Sequence, residues 1–162
     1  MLKTMQKYGF TLVELMVVVV IVGVLATIAI GMYREIAEKA KYSQARILLK
    51  RIYQALEEFY ADYGCYPKDK LPDEAPEGLV NEYLDEWPKS SRDPFGAVYD
   101  YEAHNDPEGG KWIGVTYLGK DKKHSLSFNY WRSHGAPGVI VEMDTNDDLH
   151  MVVATRVQVC NE

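Results

Sequence analysis

The feature that most constrains this chain is an apolar run over residues 15–31 that follows directly after a single carboxylate, Glu14. Thr27 is the only polar side chain within that run. As an α-helix, residues 10–31 would span about 33 Å, which matches the thickness of a bilayer core. An ionised carboxylate at membrane depth costs a few kcal/mol. Glu14 is therefore expected to have a cationic partner.

The nine residues before Phe10 indicate a leader that is removed. They include Lys3 and Lys7 and no acidic residue, which is typical of a segment that stays on the cytoplasmic side of a membrane. The small residue Gly9 precedes the apolar run, whereas in an ordinary secretory signal the cleavage site follows it. Cleavage after Gly9 would leave the helix on the mature chain and create an α-amine on Phe10 that is cationic at neutral pH. We expect the Glu14 carboxylate of one subunit to neutralise the Phe10 amine of the next.

Residues 9–14 read GFTLVE. This hexapeptide, behind a basic leader, resembles the processing motif of the type IV pilin superfamily, which includes the pseudopilins of type II secretion. The resemblance implies cleavage between Gly9 and Phe10 by a membrane prepilin peptidase, N-methylation of Phe10, and a role for Glu14 in aligning incoming subunits. The alternative is an ordinary transmembrane anchor with a chance glutamate.

A helical period continues beyond the apolar run, over residues 32–64. Apolar side chains at three- and four-residue steps predict one stripe that packs on a small sheet. The stripe comprises Ile36, Ala40, Ile47, Leu48, Ile52, Ala55, Leu56, Phe59 and Tyr63. Gly64 is expected to cap the helix, and Pro67 prevents its continuation. We therefore predict one helix with a membrane or filament-core half at residues 10–31 and an amphipathic half at residues 32–64.

The remaining residues predict a loop followed by a sheet. Residues 65–97 hold most of the prolines and are predicted to be a loop, with one short helix at residues 79–87. Short runs separated by turn residues predict an antiparallel sheet within residues 98–162. The predicted strands are residues 97–103, 112–118, 126–131, 139–143 and 151–159. The fold class is thus α+β, a long N-terminal helix packed on a small antiparallel sheet, as in type IV pilins.

Short motifs in the later part of the chain resemble the major pseudopilin of type II secretion. They run, in order, YGCYP at 63–67, DPFG at 93–96, SHGAPG at 133–138 and DDL at 147–149. The resemblance implies a helical homopolymer assembled from the bacterial inner membrane, with the C-terminal domain in the periplasm. It also implies an assembly platform with its ATPase, and minor pseudopilins, as partners. A subunit of a type IV pilus for adhesion, motility or DNA uptake remains the alternative.

Cys65 and Cys160 are the two cysteines of the chain. Two cysteines far apart in a membrane-translocated domain predict a disulfide formed in an oxidising compartment. The bond would join the end of the long helix to the C-terminal tail. Two unpaired cysteines are the alternative. The two cysteines do not have the close paired spacing of zinc ligands.

A calcium site is the one cofactor that the sequence suggests. Asp144, Asn146 and Asp148 alternate, which suits oxygen ligands of Ca²⁺ but is equally the composition of an acidic turn. The family resemblance favours calcium, although Pro137 stands where that family commonly has an acidic residue. Both interpretations remain open.

Charge and motif content argue against two other classes of function. The net charge is −6, and the acidic residues concentrate in residues 65–162, so the surface does not attract nucleic acid. The sequence has no nucleophile elbow and no phosphate-binding loop. The four histidines, His104, His124, His134 and His150, lack the spacing of metal ligands. We therefore predict a structural subunit and not an enzyme.

Overall fold

The computed structural model describes residues 9–124, 130, 133, 135–142 and 147–160. The chain divides into two compact units, Met1–Ala40 and Lys41–Glu162. One long helix, one 3₁₀ turn and four strands make up the described secondary structure.

The helix α1 spans Leu12–Tyr63, which is 52 residues and confirms the predicted single long helix. In the first unit its apolar side chains are exposed, and Val18 is half accessible at 50%. By length and composition this helix could cross a membrane, and it is the one such helix in the described part of the chain.

The part of α1 in the second unit contributes one face to the main core. Its buried residues are Ala45, Leu49, Ile52, Ala55, Leu56 and Phe59. The predicted stripe is right at its last four core positions before Tyr63. It is wrong for Ala40, which is exposed, and for Ile36, Ile47 and Tyr63, which are 63%, 53% and 56% exposed. The buried face is centred on Leu49. Ile47 lies two residues away from Leu49, or about 200° around the helix, so it cannot share that face.

The sheet is four-stranded and fully antiparallel in the order β1-β2-β4-β3. Its strands are β1 Tyr99–Asn105, β2 Lys111–Tyr117, β3 Ile140–Val141 and β4 Leu149–Val157. Strand β4 therefore lies between β2 and β3, with Val115 opposite Met151 and Ile140 opposite the same methionine. Of the strand predicted at residues 126–131, only Tyr130 lies in the described part of the chain, and it is helical.

The loop between α1 and β1 begins at Gly64, which adopts a φ of +69°. Its N–H donates a 2.8 Å hydrogen bond to the carbonyl of Tyr60, so the predicted glycine cap is confirmed. The helix predicted at residues 79–87 is wrong. Asn81 has a φ of +74° and its N–H bonds the carbonyl of Leu84 at 2.8 Å, which reverses the chain there. Leu79 and Trp87, at the two ends of this segment, are buried in the core.

Candidate functional site

The processing and assembly residues lie at the start of α1. Gly9 and Phe10 precede the helix in irregular backbone, and the Phe10 side chain is 77% exposed. An exposed segment outside regular secondary structure is accessible to a peptidase. The predicted cleavage site, the bond between Gly9 and Phe10, therefore lies outside α1, which begins at Leu12.

Thr11 and Glu14 form a reciprocal cap on the first turn of α1. The Thr11 hydroxyl accepts a 3.2 Å hydrogen bond from the Glu14 N–H. In return, Glu14 Oε2 accepts bonds from the Thr11 N–H at 2.9 Å and from the Thr11 hydroxyl at 2.7 Å. A Thr and a Glu three residues apart that bond each other in this way form a capping box. The Thr-x-x-Glu pattern before an apolar run is a visible signal of this cap, but it was missed as a role for Thr11.

The cap fixes where the Glu14 carboxylate points. Both bonds from Thr11 converge on a single carboxylate oxygen, and the positive end of the helix dipole further favours the ionised form. The chain thus orients the acid at the helix start through its own residues.

Cys65 and Cys160 form a disulfide with a Cα–Cα distance of 5.2 Å and a sequence separation of 95 residues. The adjoining backbone is also paired. The Tyr66 N–H donates to the carbonyl of Gln158, and the Cys160 N–H donates to the carbonyl of Tyr66, both at 2.9 Å. The segment after β4 is therefore held to the segment after α1 by a covalent bond and by two backbone hydrogen bonds.

The calcium prediction falls only partly within the described residues. Asp144 and Asn146 lie outside them, whereas Asp148 is described and fully buried. Carboxylate oxygens of Asp148, Asp147 and Asp121 lie within 4.8 Å of one another. Asp147 Oδ2 also accepts hydrogen bonds from the backbone N–H groups of Lys120 and Asp121. The acidic group thus joins the β2–β3 connection to the residues just before β4.

A second polar group, which the sequence analysis missed, lies on the face of the sheet opposite the main core. Tyr99 and Tyr101 are in that core, so the alternating residues of β1, Asp100 and Glu102, face the other way. His124 Nε2 donates a 2.9 Å hydrogen bond to Asp100 Oδ2 and lies 3.6 Å from Glu102 Oε1. We call Asp100, Glu102 and His124 the carboxylate–imidazole cluster.

His104 stands behind this cluster, with Nε2 placed 3.4 Å from Glu102 Oε2. The histidines lack ligand spacing along the sequence, but the fold brings His104 and His124 to the same pair of acids. Hydrogen bonding to Asp100 raises the pKa of His124, and the neighbouring Glu102 carboxylate raises the pKa of His104. Burial raises the pKa of nearby Asp69, and the charges of Asp100 and Glu102 add to that shift.

His150 is the fully buried histidine of β4. Its Nδ1 lies 2.7 Å from the Thr116 hydroxyl, and its ring stacks on Trp112 at 5.1 Å between centroids. A Cβ on Gly114 would lie 2.5 Å from the Trp112 ring and 2.7 Å from His150, so only glycine fits between them. Burial holds the pKa of His150 well below its usual value. This imidazole is packed inside the sheet and has a structural role.

Two family models match the chain. The model described as "Prokaryotic N-terminal methylation motif" matches residues 4–30. The model described as "Type II secretion system (T2SS), protein G" matches residues 33–127, more than half of the chain. Together they cover the helix, the following loop and the first two strands.

Several curated relatives are pilins and fimbrial proteins. The type IV major pilin protein PilE of Neisseria gonorrhoeae is 43% identical over 68 residues, which is 42% of this chain and 40% of that protein. The fimbrial protein EcpC of Eikenella corrodens is 44% identical over 69 residues, 43% of this chain and 44% of that protein. The type IV major pilin protein PilA of Myxococcus xanthus is 42% identical over 61 residues, 38% of this chain and 28% of that protein. The chain thus matches less than half the length of each relative. No solved structure matches.

Proposed function

We propose that this chain, which belongs to the type II secretion system protein G family, is a structural subunit of the helical pseudopilus that drives type II protein secretion. The match over residues 33–127 carries this proposal, because it covers most of the second unit and not only the common N-terminal motif. Family members are filament subunits and not enzymes, and this chain is not an enzyme. Family membership supports a filament subunit, and the assignment to the pseudopilus is our proposal.

We place the processing event between Gly9 and Phe10, carried out by a prepilin peptidase that also methylates the new amine. The irregular, exposed backbone at both residues supports this assignment. The freed amine would be cationic at neutral pH. In the filament, the amine of one subunit pairs with Glu14 of its neighbour in a low-dielectric bundle of helices.

The Thr11–Glu14 cap gives this pairing a physical basis within one chain. While the subunit waits in the membrane, two hydrogen bonds from Thr11 reduce the cost of holding an ionised carboxylate at the helix start. The same bonds keep the carboxylate in one orientation, so the incoming amine meets a group that needs no rearrangement.

The proposed location follows from the helix. The mature chain waits in the bacterial inner membrane as a single-pass protein with its second unit in the periplasm. An assembly platform and its ATPase then extract it into a periplasmic or surface filament, together with minor pseudopilins. No nucleic-acid partner is proposed, because the charge of residues 65–162 is strongly acidic.

The second candidate is a subunit of a type IV pilus. The named relatives are major pilins and fimbrial proteins, which favours this assignment. The Cys65–Cys160 disulfide also resembles the tail-anchoring bond of true pilins. Both candidates share the leader cleavage and the filament, and they differ in the machine that the filament serves.

Calcium at the acidic group near Asp148 belongs to the same proposal. Asp148 is fully buried, and Asp121 and Asp147 offer oxygens within 4.8 Å. With Asp144 and Asn146 these residues would form an all-oxygen site, as Ca²⁺ requires. The ion would fix the segment between β3 and β4 for packing between subunits.

Deletion of the gene in its own host tests the two candidates against each other. Loss of exported enzymes, with surface motility intact, supports the pseudopilus. Loss of motility or of surface pili, with secretion intact, refutes it in favour of the pilus. Wild-type chain supplied from a plasmid must restore whichever activity is lost.

The processing site has its own test and a matched control. Gly9→Ala should leave the precursor nine residues longer than the mature chain, which intact-mass measurement detects directly. Gly31→Ala makes the same change inside α1, where an added Cβ meets nothing within 4 Å, and should be processed normally. Normal processing of Gly9→Ala would remove the cleavage assignment.

A further inference from the structure

The carboxylate–imidazole cluster has the geometry of a metal site. Its three ligand atoms, one from each side chain, lie within 4.8 Å of one another. Ligands about 2.1 Å from a tetrahedral Zn²⁺ are about 3.4 Å apart. The distances from His124 Nε2 to Asp100 Oδ2 and to Glu102 Oε1 are 2.9 Å and 3.6 Å, on either side of that value. The three side chains therefore need little movement to close around one ion.

Burial gives the cluster a reason to hold a cation. The Asp100 side chain is 6% exposed and that of Glu102 is 14% exposed, so two carboxylates share a largely buried place with one imidazole. Glu102 Oε2 is shielded from solvent and receives no hydrogen bond of good geometry from the described residues. Buried carboxylates are costly unless they are paired or coordinate a metal.

The donor set selects the kind of metal. Ca²⁺ and Mg²⁺ take oxygen ligands, whereas an imidazole nitrogen suits Zn²⁺ and neighbouring transition metals. Both cysteines are in the disulfide, so thiolate-binding ions have no ligand here. His nitrogen and carboxylate oxygen are both ligand types that Zn²⁺ accepts, and three protein ligands leave a fourth position for water.

The surroundings also fit such a site. His104 Nε2 supports Glu102 from behind at 3.4 Å, as an outer partner commonly orients a ligating carboxylate. The His124 side chain is 36% exposed, which leaves an entry path for the ion. We propose that Asp100, Glu102 and His124 bind one Zn²⁺-class divalent metal ion, which ties the turn after β2 to strand β1.

This site is distinct in residues and in chemistry from the acidic group around Asp148. It also shares no residue with the processing and assembly residues Gly9, Phe10 and Glu14. A chain that fails to assemble could still bind the metal, and a chain without the metal site could still be processed and polymerised.

Calorimetric titration of the full-length chain in mild detergent, after removal of metal with a chelator, tests the proposal. Zn²⁺ should bind with one ion per chain, and His124→Gln should weaken binding at least tenfold. Glutamine keeps a donor toward Asp100, so the fold is retained. Glu102→Gln, which preserves side-chain shape, should also weaken binding at least tenfold. His134→Gln, the matched histidine substitution, should leave binding unchanged.

Two further outcomes would overturn the assignment. Equal weakening by His134→Gln and His124→Gln would mean that Zn²⁺ binds scattered imidazoles. Displacement of Zn²⁺ by excess Ca²⁺ would put the ion in the acidic group and not in this cluster.

Co²⁺ should give the visible absorption of a four-coordinate ion, and that absorption should be lost in His124→Gln.

Discussion

Replacing both cysteines by serine, Cys65→Ser with Cys160→Ser, should destabilise the second unit by about 3–4 kcal/mol. The disulfide closes a loop with a sequence separation of 95 residues. For a loop of that length the chain-entropy model gives about 4.7 kcal/mol at 25 °C, and measured losses are commonly smaller. The double substitution avoids a free thiol that could form wrong pairs.

The neighbouring contacts explain why most of this effect should come from the unfolded state. Tyr66 and Val159 are 2% and 6% exposed, and the backbone at Tyr66 makes two hydrogen bonds to the segment after β4. These contacts keep the segment docked without the covalent bond. The serine variant should therefore fold to the same structure, while its unfolded chain gains the freedom that the disulfide had removed.

Urea unfolding of the full-length chain in mild detergent, followed by tryptophan fluorescence, measures the loss. Trp87 and Trp112 are both buried in the second unit and report on its core. Wild-type chain with reductant should match the double variant. Val159→Ala, the control, should cost about 1–2 kcal/mol with or without reductant, because it removes a native contact only. A loss below about 1 kcal/mol in the double variant would refute the reasoning.

Three further predictions concern charge and ions. Glu14→Val should stay in the membrane yet form few filaments, seen by electron microscopy of sheared cells, and abundant filaments would remove the charge-pairing hypothesis. His150 has its pKa lowered by burial, so the unfolded state binds more protons below pH 6.5 and stability should fall there by up to about 1.4 kcal/mol per pH unit. In urea unfolding, His150→Gln should lose this dependence of stability on pH. His124 and His104 have raised pKa values, so their stabilising effect is lost only as the pH rises above 6.5. Excess Ca²⁺ should raise the melting temperature of the full-length chain but not of Asp148→Asn, and an unchanged wild-type melting temperature would contradict the calcium site.

The long helix could be predicted from the sequence because both of its signals are local. An unbroken apolar run and a helical period extend up to Gly64, and the helix observed, Leu12–Tyr63, ends beside that glycine. Which face is buried was harder to predict. Ile47 and Leu49 are equally apolar, and only the position of the sheet decides that Leu49 is buried. A period in the sequence cannot supply that information.

The candidate sites divide in the same way. The Thr11–Glu14 cap is local and could have been found from its spacing. The carboxylate–imidazole cluster could not, because His124 is brought to Asp100 by the pairing of β1 with β2 and by the turn that follows. Residues 79–87 failed as a helix because the left-handed conformation of Asn81, which asparagine tolerates well, turns the chain back on itself.

The position of β4 has a consequence for the order in which the protein can be made. This strand follows β1, β2 and β3 along the chain, yet it is inserted between β2 and β3. A nascent chain that stops before Leu149 leaves β2 with an open edge and gives β3 no strand to pair with. The sheet must therefore close after the ribosome has delivered that last segment, so an interrupted translation product exposes a bare strand edge and is a natural target for proteolysis.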